Sequence, residues 1–253
     1  MIDFEVRGRV ALITINRPEA RNAINGAVAS GLQDAVERLE ADDELWAGVI
    51  AGNGPAFSAG ADLKEIAAGR AAANGTERGG FAGITRLERH KPLVAAVDGP
   101  ALAGGCEIVL TCDLVVASTA SRFGIPEVKR ALIAGAGGLF RLPRAVPLNV
   151  AMQLALTGDP IDAGRAYEVG LVNELCEPGT AVDRALALAG RICENAPRAV
   201  QASRDVLLRT MLASDEEAWR ITDEEIASVM AGEDFAEGPR AFIEKREPVW
   251  TGR

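Results

Sequence analysis

Val10-Ala11-Leu12-Ile13-Thr14-Ile15, ending at Asn16-Arg17-Pro18, and Trp46-Ala47-Gly48-Val49-Ile50-Ala51, ending at Gly52-Asn53-Gly54, are short apolar runs stopped by turn residues, and both read as strands. Between them Val28, Leu32, Ala35, Val36 and Leu39 recur at helical spacing, so the order is strand, helix, strand. Two more runs extend the series, Leu93 to Val97 before Asp98-Gly99-Pro100, and Leu114 to Ala117. The residues from Gly104 to Thr111 lie between them and suit a helix of about two turns. From Pro143 onward the strands largely stop. Helical patterns follow over Val150 to Leu156, Thr180 to Cys193, Pro197 to Leu212 and Ser214 to Met230. Pro197 opens one of these, and Ser214-Asp215-Glu216-Glu217 fits a capping box for another. Trp219, Ile226 and Met230 give this region apolar faces suited to covering the core or a neighbouring subunit. The small, polar segment from Gly69 to Gly80 has no apolar period and reads as a mobile loop or weak helix.

Composition agrees with an α/β chain. Of 253 residues, 48% are hydrophobic and 25% charged, ordinary for a globular protein, while aromatics supply only 4%, so the core must be built from small, closely approaching elements. A net charge of −9 argues against non-specific nucleic-acid binding. An anionic small molecule is still admissible, because diffuse charge is screened beyond about 8 Å and a few local cations decide. Arg21, Lys64, Lys245 and Arg246 are candidates. The cysteines, Cys106, Cys112, Cys176 and Cys193, show no CxxC spacing and read as reduced, mostly buried thiols, and no metal site is visible. Met1 to Glu5 lacks the basic and apolar regions of a signal peptide, and no apolar stretch is long enough to span a bilayer, so the expectation is a cytoplasmic enzyme without a membrane partner.

The chemistry concentrates in three small-residue frames: Phe57-Ser58-Ala59-Gly60-Ala61-Asp62-Leu63-Lys64, Ala103-Gly104-Gly105-Cys106-Glu107 and Phe123-Gly124-Ile125-Pro126-Glu127. Gly104 and Gly105 precede a helical run, where unpaired N–H groups and the helix dipole favour negative charge. Ala61, after Gly60, can present its N–H likewise. Two such donors on one thioester oxygen would form an oxyanion hole, each worth roughly 2.7–4 kcal/mol in the transition state. Glycines of this kind taken alone more often serve tight turns. The two glutamates shift that reading, since a carboxyl partly buried among Gly, Cys, Ile and Val has a raised pKa and becomes a usable acid or base. Ala134-Gly135-Ala136-Gly137-Gly138 is a further backbone-rich stretch able to receive a phosphate. It is neither a P-loop nor a dinucleotide fingerprint. The single histidine, His90, precedes Lys91-Pro92 and a strand, which argues against a Ser-His-Asp triad.

Taken in order, Asn16-Arg17-Pro18 with Arg21-Asn22-Ala23-Ile24-Asn25, the Ala56 to Lys64 frame, Lys91 to Gly99 leading into Ala103 to Glu107, Cys112-Asp113-Leu114, Phe123 to Glu127, and Gly170-Leu171-Val172-Asn173 resemble the enoyl-CoA hydratase/isomerase (crotonase) superfamily from about Val10 to the C-terminus. The resemblance implies a crotonase-like (ClpP/crotonase) α/β spiral of ββα units over residues 1–195, holding an acyl-CoA site. Residues 196–253 would be a helical trimerisation region, assembling a homotrimer or a dimer of trimers. It also implies an acyl-CoA whose thioester oxygen sits between the N–H groups of Ala61 and Gly104, with no cofactor beyond the coenzyme A of the substrate itself. Arg21, Ala23, Ala59, Gly60, Asp62, Leu63, Lys64, Gly105, Pro126 and Gly135 would line the substrate. Phe242 and Lys245 would reach the nucleotide end, across a subunit boundary.

Hydratases of the superfamily use two glutamates at the positions matched by Glu107 and Glu127, and this chain keeps both. The implied reaction adds water across a trans-2-enoyl-CoA to give a 3-hydroxyacyl-CoA, with Glu127 as proton donor to Cα and Glu107 as the base that orients water. Where many hydratases place Pro and Thr around Gly-Ala-Gly-Gly, this chain has Ala134 and Leu139. That departure leaves room for an enoyl-CoA isomerase or a carnitinyl-CoA dehydratase, and a non-catalytic acyl-CoA-binding protein is the alternative from another class.

Overall fold

The computed structural model describes residues 1–69 and 71–253. Its strands are β1 (Ile2–Arg7), β2 (Val10–Ile15), β3 (Ala47–Gly52), β4 (Gly75–Thr76), β5 (Gly80–Phe81), β6 (Leu93–Val97), β7 (Pro100–Leu102), β8 (Leu114–Ser118), β9 (Arg122–Gly124), β10 (Ile161–Asp162) and β11 (Glu174–Cys176). The main sheet has the order β1-β2-β3-β6-β8-β11. Its strands run parallel from β2 to β11, and β1 pairs antiparallel at the edge. A parallel sheet must be covered on both faces, which is why its strands read as unbroken apolar runs. Ala11, Ile13 and Ile15 point into one core with Val28, Leu32 and Leu39 of α1 (Gly26–Ala41). Val10 and Leu12 point to the opposite face, where Ala185 and Ala189 of a later helix lie. Each fully buried Leu or Ile contributes roughly 1.5–3 kcal/mol, so α1 is held by its apolar stripe more than by helix propensity.

A second, smaller ladder positions the site. Ile24 bridges Ala61, Ser58 bridges Ala101, and β7 pairs parallel with β9, which pairs with β10. Each parallel strand from β2 to β8 is thus followed by a short extended segment in the second layer, then by a turn or helix back to the main sheet: a spiral of ββα turns, as expected. The helices α2 (Leu63–Ala67) and α3 (Gly104–Val109) leave this second layer.

The helices α4 (Gly138–Ala145), α5 (Leu148–Thr157), α6 (Ala163–Glu168), α7 (Ala181–Cys193), α8 (Pro197–Thr210), α9 (Asp215–Met230) and α10 (Asp234–Glu244) complete the chain. Three differ from the sequence reading: α4 runs through Pro143, and α6 and α10 had no counterpart. The sheet also continues past Pro143, since β11 adds its edge strand beside β8. The expected capping box is half made. Ser214 Oγ accepts from Glu217 N, but the Glu217 carboxylate turns to Arg220. Trp219, Ile226 and Met230 are 68%, 50% and 53% exposed, so within one chain they cover nothing. The segment expected as a loop or weak helix is a 3-10 turn (Ala71–Asn74) followed by the β4–β5 hairpin; Arg70 lies outside the described residues. No described helix is long and apolar enough to cross a membrane.

Candidate active site

Glu107 lies on α3 and is 3% exposed. Its Oε1 accepts two backbone hydrogen bonds, from Ala136 N at 2.7 Å and Gly138 N at 2.9 Å. Burial raises the pKa of this carboxyl, while the Gly138 and Ala136 N–H groups and the charge of Arg141 pull it back down. The stretch read as a phosphate seat therefore spends two of its N–H groups on Glu107. A Cβ on Gly138 would stand 3.0 Å from Glu107 Oε1, so a larger residue there would push on the carboxylate.

Glu127 opens a 3-10 turn (Pro126–Arg130), with Pro126 fixing the entry. Its Oε2 is buried and has no hydrogen-bond partner. Burial pushes its pKa up to about 7, with its own backbone N–H opposing and the Glu107 charge adding to the rise. Burial thus raises both carboxyls, and the charge of one adds to the rise at the other. Cys106 is buried beside them with its thiol pushed up to about 12, chiefly by burial, so it stays protonated and inert.

The backbone donors belong to the second ladder. The Ile24–Ala61 bridge uses Gly60 O and Asp62 N, which turns the Ala61 N–H to the other side. Gly104 is the first residue of α3, and among the described residues neither its N–H nor that of Ala61 donates a backbone hydrogen bond outside the regular elements. Gly60 has φ of +89°, and a Cβ on it would come within 2.7 Å of Gly104 N, so only glycine lets the two turns of the spiral meet there. Ala103, before Gly104, holds φ 52° and ψ −129°, a conformation an alanine adopts at a cost of about 1–3 kcal/mol. This strain aims the first N–H groups of α3, and nothing in the sequence signalled it.

Other expected residues separate into two groups. Asp62 has both oxygens engaged: Oδ2 accepts from Arg17 at 2.7 Å and Oδ1 from Lys64 N, capping α2. The Arg17 hydrogen bond holds its pKa below the usual carboxylate range, so Asp62 orders the loop. Arg17 also donates to Ala23 O, and Ala59 N to Arg21 O, which brings Arg21, Ala23, Ala59, Gly60 and Asp62 into one clasp. Leu63 and Lys64 stand exposed beside it, Gly105 is buried under Ser58 O, and Gly135 is exposed on the loop next to Glu107. Phe242 is 84% exposed on α10, and Lys245 caps the C-terminus of that helix. Arg246 is committed to Glu237 and Glu244. Three residues were given no role in the sequence: Arg17, Arg141 and Phe81, whose ring presses on Gly104 so closely that a Cβ there would overlap it. A cavity of about 1390 Å³ that neither glutamate lines lies between α8 and the core, bordered by Arg89, Asp113, Arg141, Arg204 and Leu208.

A spiral whose second ladder presents bare N–H groups beside two buried glutamates of raised pKa defines the crotonase class. Residues 5–253 match the enoyl-CoA hydratase/isomerase family, and the chain belongs to that family and is an enzyme of that kind. It is 39% identical to the 2,3-dehydroadipyl-CoA hydratase of Escherichia coli (strain K12), over 97% of this chain and 96% of that protein. Among solved structures, enoyl-CoA hydratase from Mycobacterium tuberculosis H37Rv superposes with a TM-score of 0.95 at 47% identity, covering 100% of this chain and 99% of that one. Carnitinyl-CoA hydratase from Mycobacterium avium is 49% identical with a TM-score of 0.79, covering 100% and 98%.

Proposed function

We propose that the chain hydrates a trans-2-enoyl-CoA to the 3-hydroxyacyl-CoA. The observation that carries this is the asymmetry of the glutamates: Glu107 is gripped by two N–H groups that favour its carboxylate, and Glu127 keeps a proton up to about pH 7. Glu107 takes a proton from water as its oxygen bonds to Cβ, and Glu127 gives its proton to Cα. Charge building on the thioester oxygen is held by the Ala61 and Gly104 N–H groups, each worth roughly 2.7–4 kcal/mol. Passage of the proton from Glu107 back to Glu127 resets the pair. Coenzyme A enters as part of the substrate, along Arg21, Ala23 and the Ala59 to Leu63 loop, and no separate cofactor takes part.

Residues 1–195 act in this reading as the catalytic spiral and 196–253 as the assembly region of a homotrimer or dimer of trimers in the cytoplasm. The exposed Trp219, Ile226 and Met230 support a face covered by another copy, and exposed Phe242 and Lys245 then meet the nucleotide of a neighbouring site. A second reading, hydration or dehydration at a carnitinyl-CoA, draws on the 49% identity to the Mycobacterium avium protein and on Leu139 after Gly138. Loss of the conjugated enoyl-thioester absorbance of crotonyl-CoA tests the first reading. Binding without loss overturns short-chain hydration, and turnover of carnitinyl-CoA then selects the second.

A further inference from the structure

Arg141 lies on α4, one turn beyond Gly138. Its Nη1 donates to Ala136 O at 3.1 Å and its Nη2 to Thr85 O at 2.7 Å. Ala136 is the residue whose N–H holds Glu107, so the guanidinium grips one side of a peptide loop and the carboxylate the other. Thr85 in turn donates through Oγ1 to Phe81 O at 3.1 Å, and the Phe81 ring presses on Gly104. One fork therefore joins the loop that binds Glu107 to the turn that backs the first N–H of α3.

We propose that Arg141 is a positioning residue for the reaction: its bridge between Ala136 O and Thr85 O keeps the Ala136 and Gly138 N–H groups on Glu107, and so decides which of the two glutamates carries the negative charge. The fork is needed because two carbonyls on different segments must be met at once, which a lysine ammonium on a flexible stem does less rigidly. The charged groups around Arg141 are Glu107, Arg144 and Arg89, and Glu127 faces Glu107 from the 3-10 turn. Burial disfavours the Arg141 charge while Glu107 sustains it, and Arg141 returns the effect by favouring the Glu107 carboxylate. The cation thus acts on Glu107 in two ways, through the loop and through its field.

The proposal rests on the reading of Glu107 as the base, and two readouts keep the two apart. The first is an infrared titration of the buried Glu107 carboxyl, taken as wild type minus Glu107→Gln without substrate. In Arg141→Gln its midpoint should rise by about 1 pH unit or more. The second is the pH profile of kcat/KM, whose acid limb should move up with it, kcat falling more than KM rises. Arg141→Lys should restore part of the midpoint but less of kcat. Because Arg141 borders the 1390 Å³ cavity, guanidinium ion at sub-denaturing concentration should revive Arg141→Ala. An unmoved midpoint in folded Arg141→Gln, or activity that tracks melting temperature alone with no rescue, overturns the proposal; if that variant does not fold, Arg141→Lys and the rescue decide. Absence of hydration in the wild type, with the midpoint still shifting, sinks the hydratase reading and leaves the positioning role standing.

Discussion

Glu107 and Glu127 are the same side chain in opposite situations. The Glu107 carboxyl is the more buried of the two neighbourhoods, yet its charge is met by two N–H groups and a nearby guanidinium. Glu127 is less enclosed, but one oxygen has no partner and its pKa rises to about 7. Depth of burial does not rank them; the supply of donors does. Backbone donors oppose the rise that burial causes at Glu107, whereas an unpartnered oxygen leaves most of it in place at Glu127, and in the proposed reaction the first environment suits the base and the second the acid.

The largest break in this comparison comes from removing the charge at either position. Glu107→Gln and Glu127→Gln should each lower kcat for enoyl-CoA hydration by roughly 10²–10⁴-fold, and retention of activity within tenfold in either would show that one carboxyl suffices, as for an isomerase. Next, Gly138→Ala should lower kcat by about tenfold and raise the acid limb, since its Cβ crowds Glu107 Oε1 and displaces an N–H; a change confined to KM would show that the loop serves binding alone. The pH profile sharpens the contrast further. Hydration should decline on the alkaline side with a midpoint near 7, as Glu127 loses its proton, and in the residue of activity left by Glu107→Gln this limb should move to lower pH, because the Glu107 charge is one cause of the rise. The smallest effect concerns stability. The folded Glu127 pKa stands above its usual 4.5, so the folded state holds the proton more tightly and stability falls as pH rises from about 4.5 to about 7. Glu127→Gln should therefore raise the melting temperature at pH 8, by about 2–4 °C for each kcal/mol relieved, and change it little at pH 4.

Much of this arrangement is legible in the sequence, and the limits have physical reasons. The strands β2, β3, β6 and β8 declare themselves because burial on both faces leaves unbroken apolar runs. The short strands β7, β9, β10 and β11 do not, because two or three residues carry no period. The glutamates stand out through their small-residue frames. Their difference does not, since it depends on N–H groups from a loop remote in the chain and on an oxygen that meets none. The roles of Arg17 and Arg141 are also silent: an arginine that binds a remote carboxylate or forks onto backbone carbonyls looks like any surface cation until those partners are in place. Ala103 is the converse case, an unremarkable residue in a strained conformation.

The second ladder has a consequence for how such a chain can change. Gly60, Ala61 and Gly104 are held together by single bridges, Ile24 to Ala61 and Ser58 to Ala101, while the excursion between them starts at an Asp62 tied by Arg17 and ends at a Leu93 whose N–H is held by Asp113. The first tie comes from outside the excursion, while the second also engages Arg89 within it. Phe81 rests on Gly104, Thr85 on Arg141 and Arg89 on Asp113, so the second half of the excursion is tied back to the site, and its first half is where a change of sequence would disturb these contacts least.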